Sequence, residues 1–130
     1  MRSDYKIKLF SLLVIIAIIT SGLSIKNYLL ADSKKLNLKI DMIQTAVNKH
    51  QWKSAYNLSN KLNLDWKKSE PKWAIFINHH EIDNITISLK KAIEYINCKD
   101  LIDSTVHLAE LKEYIDHIPE METLSFKNIF

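Results

Sequence analysis

The sequence is short of the residues that build tight turns, since its 130 residues include one Gly and two Pro. Tight turns, bulges and two-residue β-hairpins depend on Gly because it adopts positive φ without a steric penalty. The scarcity of Gly therefore argues against a strand-rich fold, and the abundance of Ile, Leu, Lys and Asn favours helices. A glycine-rich phosphate loop is excluded, because the single glycine, Gly22, lies inside an apolar run.

Cysteine and arginine are equally scarce. Cys98 is the single cysteine, so no internal disulfide can form, and no cysteine directly follows the apolar run, which excludes a lipoprotein. Residues 26–99 carry 13 Lys against 7 acidic residues, residues 100–130 carry 2 Lys against 7, and the one arginine is Arg2. Beyond the apolar run the charge is nearly balanced and no arginine occurs. Such a surface binds phosphate groups poorly, so we expect no nucleic-acid binding.

An uncharged run extends from Leu9 to Ile25 between two lysines, and eleven of its seventeen residues are Leu, Ile, Val or Phe. These eleven contribute ~3–6 kcal/mol towards membrane insertion. Seventeen helical residues span about 25 Å, slightly less than a hydrocarbon core of about 30 Å, and the lysines at either end can snorkel to the interfaces. The run predicts a single-pass membrane anchor.

The expected topology follows from the basic tail that precedes this run, which is typical of a signal-anchor. We predict a cytoplasmic tail at 1–8, a transmembrane signal-anchor helix at 9–27 and an extracytoplasmic helical domain at 28–130, in the cell membrane. The alternative is a cleaved signal peptide comprising residues 1–22. Apolar residues resume after Gly22 and no A-x-A motif stands there, which favours the anchor.

Beyond the anchor, apolar residues recur every three or four positions, which predicts helices. The first stripe contains Leu36, Ile40, Ile43 and Val47. Ser69 is expected to cap a helix from about residue 70 to residue 97, with Pro71 in its first turn and Ile75 on its buried stripe. Asp100 is expected to cap the last long helix and Pro119 to end it. The predicted fold is all-α, with an N-terminal transmembrane helix followed by a small antiparallel helical bundle.

Two polar clusters stand out on the predicted helices. The first is the segment NHHEIDN at 78–84, and the second is a stripe on the last long helix formed by His107, Glu110, Tyr114 and His117. If the two helices are antiparallel neighbours, the clusters can meet in the bundle. Candidate metal ligands are then imidazoles and carboxylates on facing helices, as in bundle metal sites: His79, His80, Asp83, His107 and Glu110.

The motifs that define known sites are nevertheless missing. No H-E-x-x-H occurs, there is no pair of Glu-x-x-His motifs, and no nucleophilic Ser or Cys sits in a recognisable elbow. A structural polar network that fixes helix register is therefore favoured over a metal site and over catalysis. We expect no enzyme activity and no cofactor, and the sequence identifies no small-molecule substrate.

The order of motifs resembles the small bacterial family catalogued as domain of unknown function 4363. A hydrophobic N-terminal helix leads to W-x-x-A-Y, then to N-H-x-E-I-D-N-I and finally to H-I-P-E, the motif residues being Trp52, Ala55, Tyr56, Asn78, His79, Glu81, Ile82, Asp83, Asn84, Ile85, His117, Ile118, Pro119 and Glu120. One departure is His50–Gln51 before the first motif, where an acidic helix cap is usual. The resemblance implies a membrane-anchored helical protein of low-GC Gram-positive type bacteria, with no established activity, and an association with multi-spanning membrane proteins encoded nearby.

These expectations lead to two hypotheses of different classes. The first is a non-enzymatic, membrane-anchored accessory module that binds a membrane-protein partner. The alternative is a metal-binding or sensory ectodomain that uses the His/Asp/Glu cluster between its helices.

Overall fold

The described part of the chain forms four helices. The computed structural model describes the backbone of residues 2–129 and the side chains of residues 4–118. The helices are α1 (Arg2–Asn48), α2 (Trp52–Trp73), α3 (His79–Asn97) and α4 (Leu101–Ile129). Each helix packs against the next, and α4 closes the ring against α1. This is an antiparallel up-and-down bundle, and the all-α prediction is confirmed over the described range, which contains no strand.

The bundle core consists of the apolar stripes of all four helices. The α1 stripe is buried as predicted, and the facing α4 residues Leu108, Leu111, Ile115 and Ile118 are buried with it. Trp66 and Trp73 of α2 meet edge to face, with their ring centroids 5.5 Å apart. Each indole N–H is satisfied: Trp66 donates to the Thr86 hydroxyl of α3 at 2.9 Å and Trp73 to the Asp32 carboxylate of α1 at 2.7 Å. The two tryptophans thus tie α2 to both of its neighbours.

Helix α1 is unbroken for 47 residues and has two distinct halves. Its second half enters the core from Leu29 onward, whereas the large apolar residues from Leu9 to Leu23 are exposed. The most apolar 18-residue window has a mean hydropathy of 2.2 and is 6% buried. The helix is long and apolar enough to cross a membrane, and it continues into the bundle without a hinge.

The boundary between α2 and α3 differs from the prediction. Ser69 does not cap a helix but lies buried inside α2, which continues through Pro71 to Trp73. Pro71 has no N–H and leaves the carbonyl of residue 67 without its helical donor, yet α2 continues for two more residues. The cap of α3 is Asn78, whose side chain accepts from the His80 N–H at 2.9 Å. Ile75, predicted to be on a buried helical stripe, is 72% exposed in the loop between the helices.

The prediction that Pro119 ends the last helix is also wrong, because α4 continues to Ile129. Proline has no N–H and therefore leaves the carbonyl of residue 115, one turn earlier, without its helical donor. In this bundle the hydroxyl of Ser33 on α1 donates to the Ile115 carbonyl at 3.1 Å in a buried position. A neighbouring helix thus supplies the hydrogen bond that the proline removes.

The connections at the other end of the bundle are closed without glycine. His50 (φ 55°) and Lys99 (φ 58°) adopt the left-handed conformation at the ends of α1 and α3. In each case the next residue donates back across the turn, from Gln51 N to Ala46 O at 2.9 Å and from Asp100 N to Tyr95 O at 3.0 Å. This is the Schellman arrangement that usually uses Gly. As predicted, Asp100 then caps α4 by accepting from the Asp103 N–H at 3.0 Å.

Ser33→Ala is expected to destabilise the bundle by about 1–3 kcal/mol, because the buried Ile115 carbonyl loses its donor. In a Pro119→Ala background the same substitution should cost less, since an alanine at that position has the helical N–H that proline lacks. Urea or thermal unfolding of the four chains of this double-mutant cycle, followed by circular dichroism, measures the difference. An equal cost of Ser33→Ala in both backgrounds would contradict the compensation.

Candidate functional site

The candidate metal ligands from the two predicted clusters lie at separate positions. His79, His80 and Asp83 are exposed in the first two turns of α3, whereas His107 and Glu110 lie in α4 near the C-terminal half of α3. Among the side chains of residues 4–118, no three His, Cys, Asp or Glu are grouped in a way that could hold a metal ion. Of the closing H-I-P-E motif, His117 is exposed and Ile118 is buried, while Pro119 and Glu120 lie outside the described side chains.

The α4 stripe forms a polar network against α3. His107 Nδ1 lies 2.9 Å from Glu110 Oε2, and the Tyr114 hydroxyl donates to Glu110 Oε1 at 3.2 Å. The imidazole of His107 also stacks on the Tyr95 ring of α3, with centroids 5.1 Å apart and planes inclined by 7°. The predicted spacing of the α4 residues therefore produces a hydrogen-bonded network. Its α3 member, Tyr95, carried no signal in the sequence because it contacts His107 across the interface.

The network shifts two ionisation equilibria. The hydrogen bond from His107, aided by Ser88 and Tyr114, lowers the pKa of the Glu110 carboxyl below 4.5, although partial burial opposes the shift. The same carboxylate raises the pKa of the Tyr114 hydroxyl above 10.0, first through their hydrogen bond and then through its negative charge. Both directions agree with an ionised Glu110 carboxylate that is hydrogen-bonded to His107 and Tyr114.

Glu110→Gln is expected to remove a small, pH-dependent contribution to stability. Because the folded-state pKa of Glu110 is lowered, the contribution is present above 4.5 and is lost as the pH falls through the folded-state value. The side chain is 38% exposed, so solvent screening keeps the effect below about 1 kcal/mol. Melting temperatures between neutral and acidic pH should show the wild type and the variant converging at low pH. Glu113→Gln, an exposed neighbour, is the control, and a constant gap for Glu110→Gln would refute the prediction.

A second surface lies at the end of the bundle remote from the apolar half of α1. An open groove of about 1040 Å³ runs between the start of α2 and the end of α3. We call it the distal groove. Its apolar and aromatic lining comes from Trp52, Tyr56, Leu58 and Ile96, its basic lining comes from His50, Lys53, Lys61 and Lys99, and none of its lining residues is acidic. The groove thus combines exposed aromatic surface with positive charge.

The distal groove contains two residues of the W-x-x-A-Y motif. Ala55 is fully buried and lets α2 approach the core closely, whereas Trp52 is half-buried and Tyr56 is 38% exposed. Of the second motif, Ile82 and Ile85 are buried core residues, Asn78 is the cap described above, and Glu81 and Asn84 are half-buried. The motifs therefore mix core, cap and surface residues. The sequence analysis did not predict the groove, since residues 50–61 and 96–99 meet only in the fold.

The described residues place the protein in the class of up-and-down four-helix bundles. Its first helix carries an exposed apolar extension that is long enough to span a membrane. Within that class, the family model described as a domain of unknown function (DUF4363) matches residues 23–129. The match covers the whole bundle and most of the chain, and the protein belongs to this family. Searches of curated proteins and of solved structures found no match.

Proposed function

We propose that the protein is a non-enzymatic, single-pass membrane module whose helical bundle binds a membrane-protein partner. In this proposal the apolar half of α1 anchors the chain, the N-terminus lies in the cytoplasm and the bundle lies outside it. The observation that supports the anchor best is the 6% burial of the most apolar window of α1. A core helix of a bundle buries such a surface against its neighbours, whereas a lipid-facing helix leaves it exposed to solvent in the isolated chain.

The distal groove supports the partner-binding role. An open groove with aromatic and aliphatic walls suits a helix or an extended segment that inserts an apolar anchor. Its lysines favour a partner segment that carries acidic residues around that anchor. The groove lies at the far end of a bundle that extends rigidly from α1, so it is presented away from the bilayer. We therefore propose that the partner is a membrane protein whose acidic segment projects from the same side of the membrane.

Co-purification in mild detergent tests this proposal. A tagged chromosomal copy should recover a stoichiometric integral membrane protein, and Lys53→Glu/Lys61→Glu in the groove should abolish its recovery. Lys34→Glu/Lys91→Glu makes the same change of charge at exposed positions outside the groove and should retain the partner. Recovery of the wild-type protein alone, or equal recovery by both double variants, would overturn the proposal.

The proposed orientation has a separate test. Protease added to intact cells, after the wall is opened enough to admit it, should digest the bundle and leave residues near the anchor. Protection of the bundle in intact cells, together with digestion after lysis, would place it on the cytoplasmic side instead.

A further inference from the structure

We propose that the loop between α2 and α3, residues 74–78, docks the bundle onto the lipid surface. In this arrangement Ile75 and Phe76 enter the interfacial region of an anionic bilayer, and lysines of α1 and α2 lie over its headgroups. The proposal rests on the membrane anchor proposed above and adds a second contact with the bilayer, made by the bundle itself.

The loop presents two neighbouring apolar side chains to solvent. Ile75 is 72% exposed and Phe76 is 41% exposed, whereas the next residue, Ile77, is 8% exposed and belongs to the core. The Ile77 and Phe76 amides both donate to the Trp73 carbonyl, at 2.9 and 3.0 Å, and the Asn78 side chain caps α3. The loop is thus held at both ends, so its exposed pair is fixed by the fold.

The register of α1 and α2 places this loop at the level of the lipid headgroups. Trp73 of α2 contacts Asp32, and Asp65, two turns earlier in α2, pairs with Lys39. The two helices are therefore antiparallel, and the loop residues just beyond Trp73 lie beside residues 29 and 30 of α1. Residues 29 and 30 are about 7 Å along the helix axis from Ile25, the end of the apolar run. The polar layer on each side of the hydrocarbon core is about 5–8 Å thick, so the loop falls within it.

The charge around the loop complements an anionic bilayer. A cleft of about 270 Å³ between α1 and α2 at this end is lined by four lysines and two aspartates. The Lys39–Asp65 pair is internal to the cleft, and Asp32 accepts from Trp73. The other three lysines form no salt bridge among the described side chains: Lys35, Lys68 and Lys72.

These lysines lie close enough to the bilayer to be attracted by it. By the same register they stand within about 10 Å of the headgroup layer, which is about one Debye length at an ionic strength of about 0.1 M. A basic residue this near an anionic surface is attracted to it. Exposed apolar residues next to lysines are also the composition of segments that lie in the membrane interface.

Fluorescence quenching in vesicles tests the docking. The full chain, with Cys98→Ser to remove the exposed native thiol, carries a single cysteine at Ile75 labelled with an environment-sensitive fluorophore. It is reconstituted into vesicles of phosphatidylglycerol and phosphatidylcholine that contain nitroxide lipids. We expect a blue shift and strong quenching by nitroxides near the headgroup. The matched control is Ile102→Cys, a position 75% exposed at the opposite end of the bundle, which should show neither.

A third label, at Ile16→Cys in the middle of the apolar run, separates this inference from the anchor. If the Ile16 label is quenched by deep nitroxides but the Ile75 label behaves like the Ile102 label, the docking is wrong and the anchor stands. If the Ile16 label is unquenched, the anchor itself fails. Pure phosphatidylcholine vesicles, or Lys68→Glu/Lys72→Glu, should weaken quenching at position 75 and leave it unchanged at position 16. Quenching at 75 that is indifferent to both changes would refute the role of the lysines.

Discussion

Ile16→Asp/Ile18→Asp is expected to release the protein from the membrane fraction. Each aspartate near the centre of a spanning helix costs about 2.5–3.5 kcal/mol, and each lost isoleucine removes about 0.3–0.6 kcal/mol. The double variant therefore loses about 6–8 kcal/mol, more than the ~3–6 kcal/mol that the apolar residues of the run contribute. Fractionation of cells into membrane, cytoplasm and culture fluid, with immunodetection of the bundle, measures the result.

The control for this variant lies on the same helix. Leu38→Asp/Met42→Asp introduces the same charges at positions 66% and 56% exposed in the bundle half of α1, and the protein should stay in the membrane. Both double variants should keep the thermal stability of the bundle, because none of the four side chains is buried. Membrane retention of Ile16→Asp/Ile18→Asp would contradict the anchor. A wild-type protein that appears in culture fluid and lacks residues 1–22 would establish the cleaved signal peptide.

The elements that were predicted correctly are those whose signal lies within one helix. The stripe from Leu36 to Val47 repeats at helical spacing, and burial of a bundle helix selects that repeat. The Asp100 cap acts on residues three positions away. In the same way, the contact of Glu110 with His107 and Tyr114 joins positions three and four residues apart on α4. Local spacing is sufficient to predict such contacts.

The errors occurred where a distant residue overrides a local preference. Pro71 and Pro119 are ordinary helix-boundary signals. In the fold, Trp73 is held by Asp32, 41 residues away, and the Ile115 carbonyl is satisfied by Ser33, 82 residues away. The partner of Trp73 and the donor to Ile115 both lie on α1, so no pattern within α2 or α4 reveals these contacts. The distal groove was missed for the same reason, because its walls come from two helices.

Trp66→Ala is expected to destabilise the bundle by about 3–5 kcal/mol, the range found when a buried aromatic residue is truncated in a core. Trp66 is 2% exposed and packs against Trp73. Its loss also leaves Thr86, which it contacts through the indole N–H at 2.9 Å, without that donor. Since domains of this size have a total stability of about 5–15 kcal/mol, the variant should approach the unfolding threshold at physiological temperature. Urea unfolding followed by circular dichroism measures the change.

Two further variants separate packing from hydrogen bonding and core from groove. Trp66→Phe retains an aromatic ring beside Trp73 and removes the indole donor, so it should cost about 1–3 kcal/mol, less than the alanine variant. Trp52→Ala truncates a half-buried tryptophan that lines the distal groove. It should cost less stability than Trp66→Ala while it removes the partner in the co-purification experiment. If Trp52→Ala lowers stability as much as Trp66→Ala does, Trp52 is a core residue and the groove loses its main aromatic wall. If Trp52→Ala leaves both the stability and the recovery of the partner unchanged, the groove is not the binding surface.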